Sequence, residues 1–422
     1  MAIHTSSDII AQRYVVSSSV SHYTSSAASG SHIFGDSPDD THQFTGSLLI
    51  SGSSIALGDG NNNVVLGKNV NLNVGAATNF TAVGYNAAGG NEGTGIGGSD
   101  ITVVGGLAGQ MMQQNPHRTT LIGASAGRRI NVGIDNTMVG AYAGAYLTGA
   151  DYNVFIGTYA GYATVDVDKT VIIGYQAGYS NMTSGADGTI AIGYEAAHDL
   201  TSGGYNVLVG YQAGDKITTA HSNVGIGYGV LGALQGGSTP AGDYIAIGIA
   251  AGANLSGAQY GRCIAIGSYA LNHGYGAQYS VAIGYQALHY ATGSDNIGIG
   301  QWAGRGAGQS SAPYASGHRN IAVGTQANYT LSTGGDNIGI GHNANYENRV
   351  GNQNISMGSY AGYNLRETGT VAIGHESSRY ASGSNNTFLG YRAGKGGTTS
   401  APYSSGQYNV AMGSQALEGF TT

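Results

Sequence analysis

One short phrase governs this chain. The stretch NVLVGYQAG at 206–214 returns as NVFIGTYAG from Asn153, TVIIGYQAG from Thr170, SVAIGYQAL from Ser280, NISMGSYAG from Asn354 and NVAMGSQAL from Asn409. Aligned on the glycine that follows the apolar triplet, copies run from Gly58 to Gly413, mostly 16 or 17 residues apart with occasional longer intervals. A fixed short period means a solenoid in which each copy is one structural unit, and the longer intervals are loop insertions.

The residue before the glycine is always Ile, Val, Leu or Met, as at Ile156, Val209 and Met357. The residue three before it is always β-branched, as at Val154, Ile264 and Thr387. Alternation along a strand puts these two on one side, and they read as the buried row. β-Branched residues bounded by glycine favour strand over helix. The residue between them then faces away from that row. It is Val103, Leu121, Met138, Phe155, Ile172 and Leu208 early in the chain, then Gly225, Ala246, Ala265, Ala282, Gly298, Ala322, Gly339 and Ala372. Neither set suits water, so this row is expected to pack against neighbouring solenoids around a symmetry axis. On that reading Ala282→Asp buries a carboxylate between copies and blocks assembly.

Four before the glycine stands Asn in about half the copies, among them Asn136, Asn153, Asn206, Asn223, Asn320 and Asn337, with Ser or Thr in most others. Identical amides in register form hydrogen-bonded ladders between stacked strands. Cys263 falls in this row and reads as a small stand-in for Ser or Asn, not as a nucleophile. Three after the glycine is almost always Ala, for example Ala143, Ala160 and Ala213, often followed by a second Gly that suits a tight corner. The fold class expected is all-β: a parallel β-solenoid of about twenty turns, stacked at about 4.8 Å per turn into a rod on the order of 100 Å long.

Composition narrows the function. With 9% charged residues, 41% hydrophobic residues and a net charge of −7, the chain is neither disordered nor collagen-like. It has no Lys/Arg cluster, so neither nucleic acid nor an anionic membrane is an expected partner. One cysteine allows no intrachain disulfide framework and no cysteine metal site. The start MAIHTSSDIIAQRYVV lacks the marks of a secretory leader, and no apolar run is long enough to span a bilayer. A product made in the cytosol and released by lysis is expected.

The pattern [Asn/Ser/Thr]-[Val/Ile]-Ala-Ile-Gly-x-x-Ala, clear in SVAIGYQA at 280–287, CIAIGSYA at 263–270 and TVAIGHES at 370–377, resembles the head repeats of trimeric autotransporter adhesins. The resemblance covers roughly residues 54–420 and implies a left-handed parallel β-roll assembled as a homotrimer. Neither the coiled-coil stalk nor the C-terminal membrane barrel of that family is expected here, and similar rolls occur in bacteriophage tail fibres. Residues 14–53, from YVVSSSVSHY to SLLISGS, resemble the leader of structural proteins from marine tailed phages. That resemblance implies a non-enzymatic virion fibre, joined to other virion proteins through its N-terminal segment and presenting a surface that recognises a host glycan or protein. A cell-surface adhesin or self-assembling filament is the alternative, and a solenoid depolymerase a more distant one. The organisation expected is a non-repeating Ser-rich segment over 1–53, then the rod over 54–422, with insertions near 85–103, 228–245, 301–320 and 391–409.

No catalytic, cofactor or metal residues are assigned. Strings such as GTGIGG at 93–98 and GIGQWAG at 298–304 are the repeat itself, without the strand, helix and acidic residue of a dinucleotide site. Asp36, Asp39 and Asp40 suit a calcium ion or, equally, a Pro-containing turn. Paired carboxylates of the kind a glycosidase needs are not evident, and no Thr-x-Thr ladder suggests ice binding. Tyrosines after the rung glycine, such as Tyr175, Tyr194 and Tyr211, are expected to stack between turns. The insertions GRGAGQSSAPYASGHRN and GKGGTTSAPYSSGQYN are near copies. They supply the candidate binding residues Pro313, Tyr314, His318, Pro402, Tyr403 and Tyr408, since loops on rigid scaffolds often bind; a clasp on a neighbouring chain is the other reading. Finally, residues 1–53 are expected to cover one end of the stack, and the rung at Gly413 to be completed by another chain or segment.

Overall fold

The computed structural model describes residues 62–70, 76–89, 97–112, 116–234, 242–255, 261–306, 315–397 and 404–421, all within the unit Leu57–Thr422. The N-terminal segment, Asp36, Asp39 and Asp40, and the first rung at Gly58 lie outside the described residues. Among the described residues twenty strands follow one another, from β1 (Val64–Leu66) to β20 (Val410–Met412). All have three residues except β2 (Ala76–Val83) and β3 (Gly97–Val104), which have eight. Each pairs in parallel with the next in chain order, equivalent residue over equivalent residue: Val154 on Val171, Phe155 on Ile172, Ile156 on Ile173. The one helical element among the described residues is a single 3-10 turn, Ser184–Ala186. The chain is an all-β parallel β-solenoid.

The repeat is strict because the corners are. The rung glycines hold φ near +130°, a region closed to other residues, and a Cβ on Gly157 would lie 2.6 Å from the carbonyl oxygen of Gly174. Two or three further positions per turn are left-handed without being glycine, for example Asp135 at φ 58°, Tyr142 at φ 58° and Leu288 at φ 48°. Every turn so made closes on the one above.

The strand presents the opposite side to the one expected. Leu121, Met138, Phe155, Ile172 and Leu208 are fully buried inside the solenoid, as are Ala246, Ala282 and Ala372. The flanking aliphatic residues point outward: Ile156 is 37% exposed, and Ile283 and Met357 resemble it. The physical reason is width. The lumen also receives the corner alanines Ala143, Ala160 and Ala213. It accommodates one strand side chain per turn and not two. An aspartate at Ala282 therefore enters the lumen, and it breaks the turn rather than a contact between copies.

The amide row behaves as the sequence indicates. Asn136 Oδ1 accepts from both the backbone N–H (3.0 Å) and Nδ2 (3.1 Å) of Asn153, whose Nδ2 also donates to Val167 O at 2.7 Å. Asn206 with Asn223, and Asn320 with Asn337, repeat the pattern. Cys263 occupies the same row, its thiol facing the carbonyls of Gly261 and Ala277, and burial pushes it up to about 11. It stays a protonated thiol.

Insertions leave this register intact. Parallel bridges Ala291–Ala315 and Ala381–Ser404 re-form where the described chain resumes after 307–314 and 398–403.

Candidate interaction surfaces

Three surfaces result from stacking one turn many times. The first is the aliphatic face. The outward residues of every strand form two parallel rows of Val, Ile, Leu, Met and Thr, partly exposed from Thr120 and Ile122 to Thr387 and Leu389. Monomeric soluble proteins seldom leave so continuous an apolar face open.

The second is aromatic. Tyr175, Tyr194, Tyr211 and Tyr228 stack with centroids 5.5, 4.9 and 5.2 Å apart, as the sequence leads one to expect. A second column runs beside it through Tyr162, Tyr179 and His198, and reappears further on as Tyr329, Tyr346 and Tyr363. Stacking covers the ring faces and leaves edges and hydroxyls outward. Arginines lie over rings along the columns: Arg129 lies 4.5 Å over Tyr146, Arg305 sits over both Tyr290 and Tyr329, and Arg379 lies over Tyr363, the end of its column, and over the adjacent Tyr360. A guanidinium over an aromatic face gains cation–π attraction while its edge N–H groups remain free to donate.

The third is ionic. Glu376 is surrounded by Arg379, Arg392 (2.8 Å) and Lys395 (3.4 Å). Burial pushes its carboxyl upward, but the three cations outweigh burial and hold it below the usual carboxylate range. This cluster ties successive turns together.

Of the loop residues singled out by sequence, Pro313, Tyr314, Pro402 and Tyr403 lie outside the described residues. His318 plays a structural part, its Nδ1 accepting the Ser294 backbone N–H at 2.9 Å. Tyr408 stands 77% exposed at a left-handed corner, φ 60°. His318 belongs to the turn of Gly324 and Tyr408 to that of Gly413, several turns apart, so the stack does not bring them together.

Two clefts were not foreseen. One, about 560 Å³, is lined by Met111, Arg129, Asn131, Val132, Thr148 and Gly149. The other, about 510 Å³, is lined by Thr330, Glu347, Arg349, Val350 and Arg366. Each spans three turns, which is why no single copy of the repeat reveals it.

Among the described residues, no group of three or more His, Cys, Asp or Glu is arranged to hold a metal ion. Nor is any helix there long and apolar enough to cross a membrane. The chain matches no known family and no curated protein.

Proposed function

We propose that the chain is a non-enzymatic virion fibre of a tailed bacteriophage: a homotrimer of left-handed β-rolls that holds a host-recognition surface away from the particle. The observation that carries the reading is the continuous aliphatic face. Rows of Val and Ile along every strand are costly in water and need a cover that repeats with the same spacing. A second and third copy of the same chain, packed about a common axis, supply that cover. The Ser-rich segment 1–53 is the part assigned to other virion proteins, and the resemblance of residues 14–53 to phage leaders supports that assignment. Host glycan or protein is the partner class.

Assembly is tested by sedimentation equilibrium on the full chain. A trimer is expected, and a stable, soluble monomer would remove the basis of the reading. Ile283→Asp, on the outward row, should give a folded chain that does not trimerise. Adsorption of purified trimer to candidate host cells, with competition against phage infection, tests the virion role. Adhesion to eukaryotic cells without any such competition would favour a bacterial surface adhesin instead.

A further inference from the structure

The two clefts occupy the same place in the turn with different linings: valine is common to both, while Arg129 answers to Glu347 and Asn131 to Arg349. Asn131–Val132 and Arg349–Val350 follow their rung glycines, Gly123 and Gly341, by the same number of residues, and Thr148 and Arg366 correspond one turn further on. They therefore open at the same point of the turn, at distant levels of the stack. Each carries one guanidinium without an acidic counterpart. Arg129 lies over the Tyr146 ring at 4.5 Å and forms no ion pair among the described residues. In the second cleft Arg366 is bound to Glu347 at 2.6 Å, while Arg349 forms no ion pair among the described residues. Both clefts are thus locally cationic in a chain whose net charge is −7.

The rest of the lining completes a chemical description. Val132 and Val350 are exposed and supply an apolar wall; Thr148 and Thr330 supply hydroxyl oxygens whose protons are engaged by Val165 O and Tyr346 O. An open trough with a planar cationic fork, hydroxyl acceptors and one apolar wall does not enclose a greasy ligand. It does match a sugar ring bearing a carboxylate or sulfate. The anion meets the guanidinium edge through two parallel hydrogen bonds, ring hydroxyls donate to the threonine oxygens, and the C–H face rests on valine.

We propose that both clefts are subsites for acidic saccharide units, so that the surface partner of this solenoid is an anionic polysaccharide. The proposal rests on the host-recognition reading above and names its ligand class. A shallow trough binds one unit weakly. Two cationic troughs per chain, multiplied by any assembly, engage a repeating polymer at several points and convert weak contacts into useful avidity.

The test uses the full chain, immobilised, with hyaluronate and chondroitin sulfate fragments as carboxylated and sulfated probes, dextran as the neutral one, and polyglutamate as a charge-only control. Saturable binding of at least one acidic glycan, absent with dextran and polyglutamate, is expected. Arg129→Ala with Arg349→Ala should weaken it at least tenfold, and the corresponding Lys pair should restore only part, because lysine keeps the charge but not the fork. Both residues are exposed, so the thermal melt should not move, and it serves as the folding control. Equal binding to polyglutamate, or binding indifferent to the double variant, overturns the proposal. Dextran binding overturns the acidic ligand class and leaves host recognition standing. Adsorption to host cells with no glycan binding at all overturns the clefts alone, and loss of adsorption as well removes the underlying reading.

Discussion

The solenoid fills its lumen in two ways. In the turns of Gly123 to Gly210, apart from that of Gly193 with Ala191 and Ala197, most of the volume comes from the strand centre, through Leu121, Met138, Phe155, Ile172 and Leu208, and the facing corner position is glycine: Gly127, Gly144, Gly161, Gly178 and Gly214. In the turns of Gly227, Gly267 and Gly284 the strand centre shrinks to Gly225, Ala265 and Ala282, and leucine takes the corner at Leu231, Leu271 and Leu288. The corner backbone is the same in both regions, φ 57° at Gly144 and 48° at Leu288. A Cβ on Gly144 would lie 2.6 Å from Met138 Sδ, and one on Gly298 would lie 2.7 Å from Leu288 Cγ. In these turns bulk at one position goes with a small residue at the other, at native packing density. In the turns of Gly193, Gly248 and Gly300 both positions are small, and at Gly298 and Gly304 the neighbouring Leu288 takes the space. The later region accepts leucine in a left-handed corner, a conformation costing L-residues roughly 1–2 kcal/mol.

Further along, the corner becomes polar. Asn328 Nδ2 donates to Ile321 O at 2.9 Å, and Asn345 Nδ2 to Asn328 Oδ1 at 2.9 Å. The column then meets Gly362. The bonds Asn345 N to Ala361 O and Gly362 N to Ser377 O put Gly362 directly between Asn345 and Ser378. A Cβ on Gly362 would collide with the Ser356 hydroxyl. Asn345 Oδ1, Ser356 Oγ and Ser378 Oγ are buried around this glycine without a protein partner.

The sharpest way to break the comparison is Phe155→Ala. In a strand-filled turn the adjacent corner is glycine and nothing can collapse into the space, so a loss of about 3–5 kcal/mol is expected in denaturant unfolding. Met138→Ala should cost about 2–5 kcal/mol. Adding Gly144→Leu converts that turn to the corner-filled kind and should recover part of the loss, with a coupling of about 0.5–3 kcal/mol between the two changes. Simple additivity in that cycle would refute the volume exchange.

Asn345→Leu should cost about 1–3 kcal/mol, because it strands Asn328 Oδ1 in the lumen. A high-resolution crystal structure is expected to place an ordered water beside Gly362, bridging Asn345 and the two serines. A dry site, with the serine hydroxyls turned to backbone carbonyls, would count against a polar lumen section.

A smaller difference is pH-dependent and confined to the leucine-corner region. Burial lowers His289 to about 4, with Tyr269 O on its Nδ1 and with His273 and Arg305 the facing positive groups. The folded chain holds it neutral while the unfolded chain protonates it near 6.5, so stability should fall as pH drops from about 6.5 to about 4, then level off. His289→Gln should flatten that segment of a melting-temperature profile; an unchanged profile would rule out this assignment. The smallest expected effect is none. Arg118→Ala in one region and Arg319→Ala in the other remove exposed pairs with Asp135 and Asp336, and neither should shift the melt measurably.

The repeat made the strand, the amide ladder, the role of Cys263 and the tyrosine stacking legible, because each is a single column read down the chain. The inward side of the strand is not legible in the same way, since β-branching reports extended backbone and does not say which face is covered. The clue lay in the disfavoured column: Ala and Gly at Ala282 and Gly298 suit a lumen better than any interface. Volume exchange between Met138 and Gly144 escapes a column-by-column reading because it is a correlation between two columns. The clefts escape for a similar reason: Arg129 and Thr148 line one cleft from different turns, at positions whose residue type changes from copy to copy. His318 misled by standing next to an insertion, while His117, at the same place in its own turn, likewise accepts the backbone N–H of Ser99.

The amide ladder has a mechanical consequence. Bonds between parallel strands run along the stacking direction, so a pull in that direction loads every bond between two turns at once, and side-chain amides share the load with the backbone. The sharing is uneven. After Asn223 the row continues as Tyr244, Cys263 and Ser280, and amide-to-amide bonding resumes only between Asn296 and Asn320. Under tension, held at its two ends by force spectroscopy, the solenoid should yield first between the turns of Gly227 and Gly300, and Cys263→Asn should raise the force at which it parts.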